Sequence, residues 1–81
     1  MDIKVGDYVT LRSWEEVKDG DTLNISERTW IRLQMEPRKV VSIDDDPTCT
    51  PRFAYFIADE SDEDGWYVLE SAIESVRRDF K

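Results

Sequence analysis

The sequence predicts an all-β domain of four to five short strands, with a long first loop and a short C-terminal helical turn. Two observations carry this expectation. Short runs rich in β-branched and aromatic residues recur between clusters of Asp, Pro and Gly, the pattern of strands joined by turns. No stretch sustains the 3.6-residue apolar period of a long helix. At 81 residues the chain is expected to form one domain, residues 1–81, with one thin core. A chain of this size buries only about 60% of the surface that its unfolded form exposes.

Each element follows from its residues. Ile3, Val5, Asp7, Val9 and Leu11 alternate with Lys4, Gly6, Tyr8, Thr10 and Arg12, the period of a half-buried strand with Val5, Val9 and Leu11 inward. Residues 14–36 mix charges with Trp14, Val17, Leu23, Ile25, Trp30, Ile31, Leu33 and Met35 in no sustained period, and Asp19-Gly20-Asp21 interrupts them as a turn signal. They read as a long ordered loop pinned by its own apolar groups, because a structureless loop of that length is unusual in a compact domain. Pro37 marks the boundary of a second strand, Arg38 to Ile43, with Val41 and Ile43 inward. Asp44-Asp45-Asp46-Pro47 through Pro51 is turn chemistry that links two strands. Phe53 to Ala58 is a continuous apolar run, which suits a central strand with both faces at least partly covered. Asp59 to Gly65 forms a second acidic turn, with Gly65 available for a positive φ. Trp66 to Leu69 is a further strand. Ala72, Ile73 and Val76 suit one or two helical turns that need packing to persist, and the tail from Arg77 to Lys81 is expected to fray.

The order of these elements is a recognisable plan. Val5-Gly6-Asp7-Tyr8-Val9-Thr10-Leu11 resembles the "hydrophobic-Gly-Asp-x-Val" opening strand of SH3-like and KOW-type barrels, and Arg12-Ser13-Trp14 continues it. The succession of that strand, a long loop, Lys39-Val40-Val41-Ser42-Ile43, an aromatic strand, an acidic tip, Gly65-Trp66 and Ala72-Ile73 is similar to short SH3-like proteins encoded by bacteriophages. The resemblance covers about residues 3–76. It implies a small SH3-like barrel and a phage setting in a bacterial host cytoplasm, and it implies no chemistry.

The charge is local. The chain carries 19 Asp and Glu against 11 Lys and Arg, a net charge of −8. Residues 1–43 sum to −1 and residues 65–81 to 0, whereas residues 44–64 hold Asp44, Asp45, Asp46, Asp59, Glu60, Asp62, Glu63 and Asp64 against Arg52 alone. Such a surface repels nucleic acid and anionic membranes, so neither is expected as a direct partner, and no apolar run approaches the roughly 18 residues of a membrane span. Residues Met1 to Val5 lack the apolar stretch of a signal peptide, and a single cysteine offers no internal disulfide, so a reducing cytoplasm is expected.

Catalytic constellations are missing. There is no His, no phosphate-cradling glycine loop and no Gly-x-Ser-x-Gly, and Cys49 lies in a polar loop with no base adjacent in sequence to activate it. The chain is therefore expected not to be an enzyme and to need no cofactor. Aligning Gly65 with the sixth position of a calcium loop puts Glu60, Asp62 and Asp64 at liganding positions. Ser71 then falls where a bidentate Glu is required, so no metal site is expected.

Two partner readings stay open. In the first, the eight acids on two strand-joining loops form one negative surface for a basic host protein, such as a nucleoid-associated protein or a component of the transcription machinery. A DNA mimic of this kind needs the two loops side by side, with Trp14 or Trp30 as an apolar anchor. In the second, the Tyr8, Trp14 and Trp30 region makes an SH3-like adaptor for a peptide or assembly partner, and the acids only maintain solubility. Among the other aromatics, Phe53, Tyr55 and Trp66 are expected in the core. The chain is expected as a monomer or weak homodimer.

Overall fold

A computed structural model describes residues 2–20 and 22–78. Met1, Asp21 of the expected turn, and residues 79–81 of the expected fraying tail lie outside the described residues. Strands β1 (Tyr8–Leu11), β2 (Arg38–Asp45), β3 (Phe53–Ser61), β4 (Asp64–Leu69) and β5 (Ile73–Arg77) form one sheet in the order β4-β3-β2-β1-β5. All pairings are antiparallel. Helices α1 (Trp14–Val17) and α2 (Glu27–Gln34) lie between β1 and β2, and a 3-10 turn, Glu70–Ala72, separates β4 from β5. Among the described residues β4 and β5 are the two edges, and no pairing between them closes the sheet.

The first strand is shorter than its alternation predicts. Gly6 takes φ +95°, and Asp7 N–H donates to the Lys4 carbonyl at 3.0 Å, so residues 4–7 turn before the strand begins. Val5 is left 61% exposed, while Ile3, Val9 and Leu11 are buried. The buried Asp7 carboxylate accepts the Lys4 N–H at 2.9 Å, which pins the turn.

Residues 14–36 are not a loop. Ser26 accepts the Thr29 N–H at 3.3 Å and starts α2, which buries Trp30 and Leu33, while Ile31 and Met35 face solvent. Trp30, Ile31 and Leu33 of α2 lie on one side of the helix, but eight residues are too few to sustain the repeat that marks a helix in sequence. Val17 of α1 and Ile25 complete the packing.

Strand β2 carries a bulge. Val40 pairs with Ile57 and Ser42 with Phe56, so Val41 is the extra residue and the facing parity changes across it. Val40 is fully buried, Ile43 packs partly buried against the same core, and Val41, expected inward, is only partly buried.

The C-terminal helical turn lasts three residues, after which the chain becomes β5 and pairs with β1 from Tyr8↔Arg77 to Leu11↔Ile73. The unpaired backbone of β1 supplies more hydrogen bonds than a second helical turn, and this overrides the helical spacing of Ala72, Ile73 and Val76. Arg77, expected in a frayed tail, is held in that ladder. One core takes side chains from all five strands, both helices and the 3-10 turn, with Trp30, Leu11, Leu33, Ile57 and Ile73 as the largest buried groups. Each stabilises the fold by about 1.5–3 kcal/mol relative to an exposed side chain.

Candidate functional site

Antiparallel succession decides where the acids sit. Strands β2, β3 and β4 run as consecutive hairpins, so the β2–β3 turn and the β3–β4 turn lie at opposite ends of β3. Nine residues of β3 separate them, roughly 26 Å at the rise of an extended strand. The two acidic ends therefore do not lie side by side, and the eight carboxylates divide into two patches; Asp44, Asp45, Asp59, Glu60 and Asp64 stand on the strands themselves, and only Asp46, Asp62 and Glu63 lie in the expected turns.

At the β2–β3 end most of the acidic side chains are engaged. Asp45 forms a two-pronged ion pair with Arg52, and this hydrogen bonding holds its carboxyl below the usual range. Asp46 closes the turn, accepting from the Thr48 N–H at 3.0 Å, the Thr48 hydroxyl at 2.6 Å and the Cys49 thiol at 3.1 Å. The Thr48 hydroxyl is the main cause of its lowered pKa. In return, the bond to Asp46 and then its charge push the exposed Cys49 thiol up, which keeps it protonated and a poor nucleophile. Asp44 is exposed and makes no side-chain hydrogen bond or ion pair among the described residues.

The β3–β4 end is more open. A register shift between Ala58 and Ser61 lifts Asp59 and Glu60 out of the ladder. Asp59, only 10% exposed, accepts from Arg32 of α2 and from the Trp66 indole N–H at 3.1 Å. The Arg32 bond is the main cause of its lowered pKa. Asp62 pairs with Lys39 at 3.0 Å, and this bond raises the Lys39 pKa. Two of these cations come from outside residues 44–64, so the segment's excess of seven negative charges falls to five. Glu60 and Glu63 are exposed with no side-chain hydrogen bond or ion pair among the described residues, and Asp64 has only a 3.5 Å contact from the Ser61 hydroxyl.

The aromatic residues exchange the roles expected of them. Trp30 is fully buried, with its indole N–H donating to the Arg12 carbonyl at 2.8 Å, so it belongs to the core and offers no surface anchor. Trp14 packs partly buried, with its ring centroid 6.5 Å from that of Trp30. Tyr55 is buried as expected, but Phe53 and Trp66 are exposed, together with Tyr67. Tyr67 meets Phe56 edge-on at 5.0 Å on one face of the sheet. Trp66 pairs with Ile57 and therefore projects from the other face, where β4 has no outer neighbour to cover it.

Gly65 does not supply a positive φ. It is instead a close approach, because a Cβ there would collide with the Ile57 carbonyl oxygen and reach within 2.7 Å of the Phe56 ring. The strand therefore lies tight against β3 beneath a shallow hollow lined by Asp59, Glu60, Asp64, Gly65 and Trp66. Trp66 and Tyr67 are the surface residues that sequence reasoning missed. Their place at the end of the chain's most acidic run, on a strand followed by no further hairpin partner, was the available signal.

Among the described residues, no group of three or more His, Cys, Asp or Glu is arranged to hold a metal ion. No helix among them is long and apolar enough to cross a membrane. No protein-family model, curated protein or solved structure matches the chain.

Proposed function

We propose that the protein is a non-enzymatic interaction module with the build of a small SH3-like barrel, and that it binds a basic segment of a partner protein at the β3–β4 end of its sheet. The barrel reading is supported by the strand order, by the long connection between β1 and β2, and by the 3-10 turn before the last strand. The resemblance to phage proteins makes a basic host protein in a bacterial cytoplasm the expected partner.

One observation carries the binding reading: the exposed carboxylates of Glu60 and Asp64 share a hollow with the exposed indole of Trp66. A Lys or Arg side chain entering this hollow presents its charge to the carboxylates while its aliphatic stem lies along the ring. A DNA mimic would need one continuous acidic face, and the separation of the two tips favours recognition of a short basic segment by one end instead. The adaptor reading merges with this one, its aromatic contact moved from Trp14 and Trp30 to Trp66 and Tyr67.

Fluorescence anisotropy with a labelled Lys/Arg-rich peptide tests the proposal. Affinity should fall at least about tenfold as salt rises from about 0.05 to about 0.3 M. The triple variant Glu60→Gln, Glu63→Gln, Asp64→Asn should lose most of the binding, Trp66→Ala should weaken it severalfold, and Asp44→Asn with Asp46→Asn should leave it nearly unchanged. Equal losses from both acidic ends would sink the proposal.

A further inference from the structure

We infer that the outer edge of β4 is a strand-addition site for an extended basic segment. This rests on the basic-segment reading above and specifies how the segment is held. Strand β4 has β3 on one side only. Among the described residues no backbone group of residues 64–68 joins a turn or loop hydrogen bond, and Leu69 caps the 3-10 turn that follows. Alternate N–H and C=O groups along its free side are therefore open to a further strand.

Lysine, proline and a bulge, which blunt many such edges, are missing from this one. Residues 64–69 contain no Lys and no Pro, and the irregularity between β3 and β4 places its extra residues on β3, so β4 itself runs regularly. An added strand would also find an exposed aromatic residue on each face, Trp66 on one and Tyr67 on the other, 37% and 46% exposed. Main-chain bonds would supply the general affinity, and the two rings would select alternate side chains.

Charge decides the occupant. Residues 53–76 contain no Lys or Arg, and acids stand at both ends of β4: Glu63 and Asp64 at the start, Glu70 at the finish. If a second copy paired its β4 here, antiparallel pairing would set the Asp64 end against the Glu70 end, and parallel pairing would set each acid against itself. Either arrangement brings like charges together across the new ladder. A segment with Lys or Arg at alternate positions replaces that repulsion with attraction at the Glu63 and Asp64 end, so the occupant is a basic extended segment of another protein.

Amide hydrogen exchange of the isotope-labelled chain, with a synthetic peptide of alternating Lys and Val as probe, tests the inference. The peptide should slow exchange at alternate amides of residues 64–69 by about tenfold or more and leave β5 unchanged, while an alternating Glu and Val peptide has no effect. If the Lys–Val peptide binds without protecting β4 amides, strand addition is overturned and the basic-segment reading survives. If it fails to bind while the flexible Lys/Arg peptide binds, the outcome is the same. If neither basic peptide binds, both readings fall. Protection of β4 that grows with protein concentration alone would show a second copy as the occupant and overturn the inference.

Discussion

Gly65 has its freedom from a side chain used for closeness. Substitution to Ala forces the new methyl against the Ile57 carbonyl oxygen, which cannot move without disturbing the β3–β4 ladder, and against the Phe56 ring, which can turn away. Gly65→Ala is expected to destabilise the fold by about 1–3 kcal/mol. Gly20→Ala, which meets nothing within 4 Å, should stay within about 0.5 kcal/mol of the parent. Urea denaturation of the two variants makes the comparison, and equal midpoints would refute the close approach. Sequence alone identified Gly65 as special and misassigned the cause, because a turn glycine and a close-contact glycine look alike beside an acidic run. Trp30 was ambiguous for a similar reason: a Trp suits a core or an interface equally. The Arg12 carbonyl, 18 residues away, satisfies its N–H and lets the ring be buried whole.

Between elements, the most connected acidic group is Asp59, which ties β3 to α2 through Arg32 and to β4 through Trp66. The Arg32 bond lowers its pKa below the ordinary 3.8, with burial opposing and the Trp66 bond assisting. A carboxyl depressed in the folded state stabilises the protein above its unfolded pKa, and that contribution is lost as pH falls through the lowered value. Asp59→Asn should therefore be less stable than the parent at neutral pH, with the gap closing below about pH 4. Urea midpoints measured at neutral and acid pH check this, and a gap independent of pH would exclude the ion pair as its source. Helices α1 and α2 and strand β5 were hidden from sequence reading. The helices are only four and eight residues long, too short to show a sustained period, and β5 exists because β1 offers an unpaired edge.

Across the whole molecule, the separation of the acidic tips controls what the charge can do. Spin labels on the native Cys49 and on a Glu63→Cys variant should lie more than about 20 Å apart by pulsed electron paramagnetic resonance, given the rise of a β-strand over β3. A distance below about 15 Å would put the tips side by side and restore a single acidic face. The clustering of charge was plain in the sequence, but its effective size was not. Arg32 and Lys39 reach the β3–β4 tip from other elements and neutralise Asp59 and Asp62, leaving Glu60, Glu63 and Asp64 as the outward charge of that end.

Strands β2, β3 and β4 and the clustering of acids around the turns between them are legible in the chain, because alternation, turn residues and charge runs act within a few positions; the strands nevertheless run two or three residues further into the acidic runs than those signals mark. Long-range packing settles which tryptophan is buried, which carboxylates are already paired, and that residues 73–77 form a strand. Each of those outcomes depends on a partner distant in sequence: Arg12 for Trp30, Arg32 for Asp59, and β1 for β5. Local preference cannot encode such contacts, because they are settled by which unsatisfied backbone, charge or apolar surface the folded sheet brings within reach.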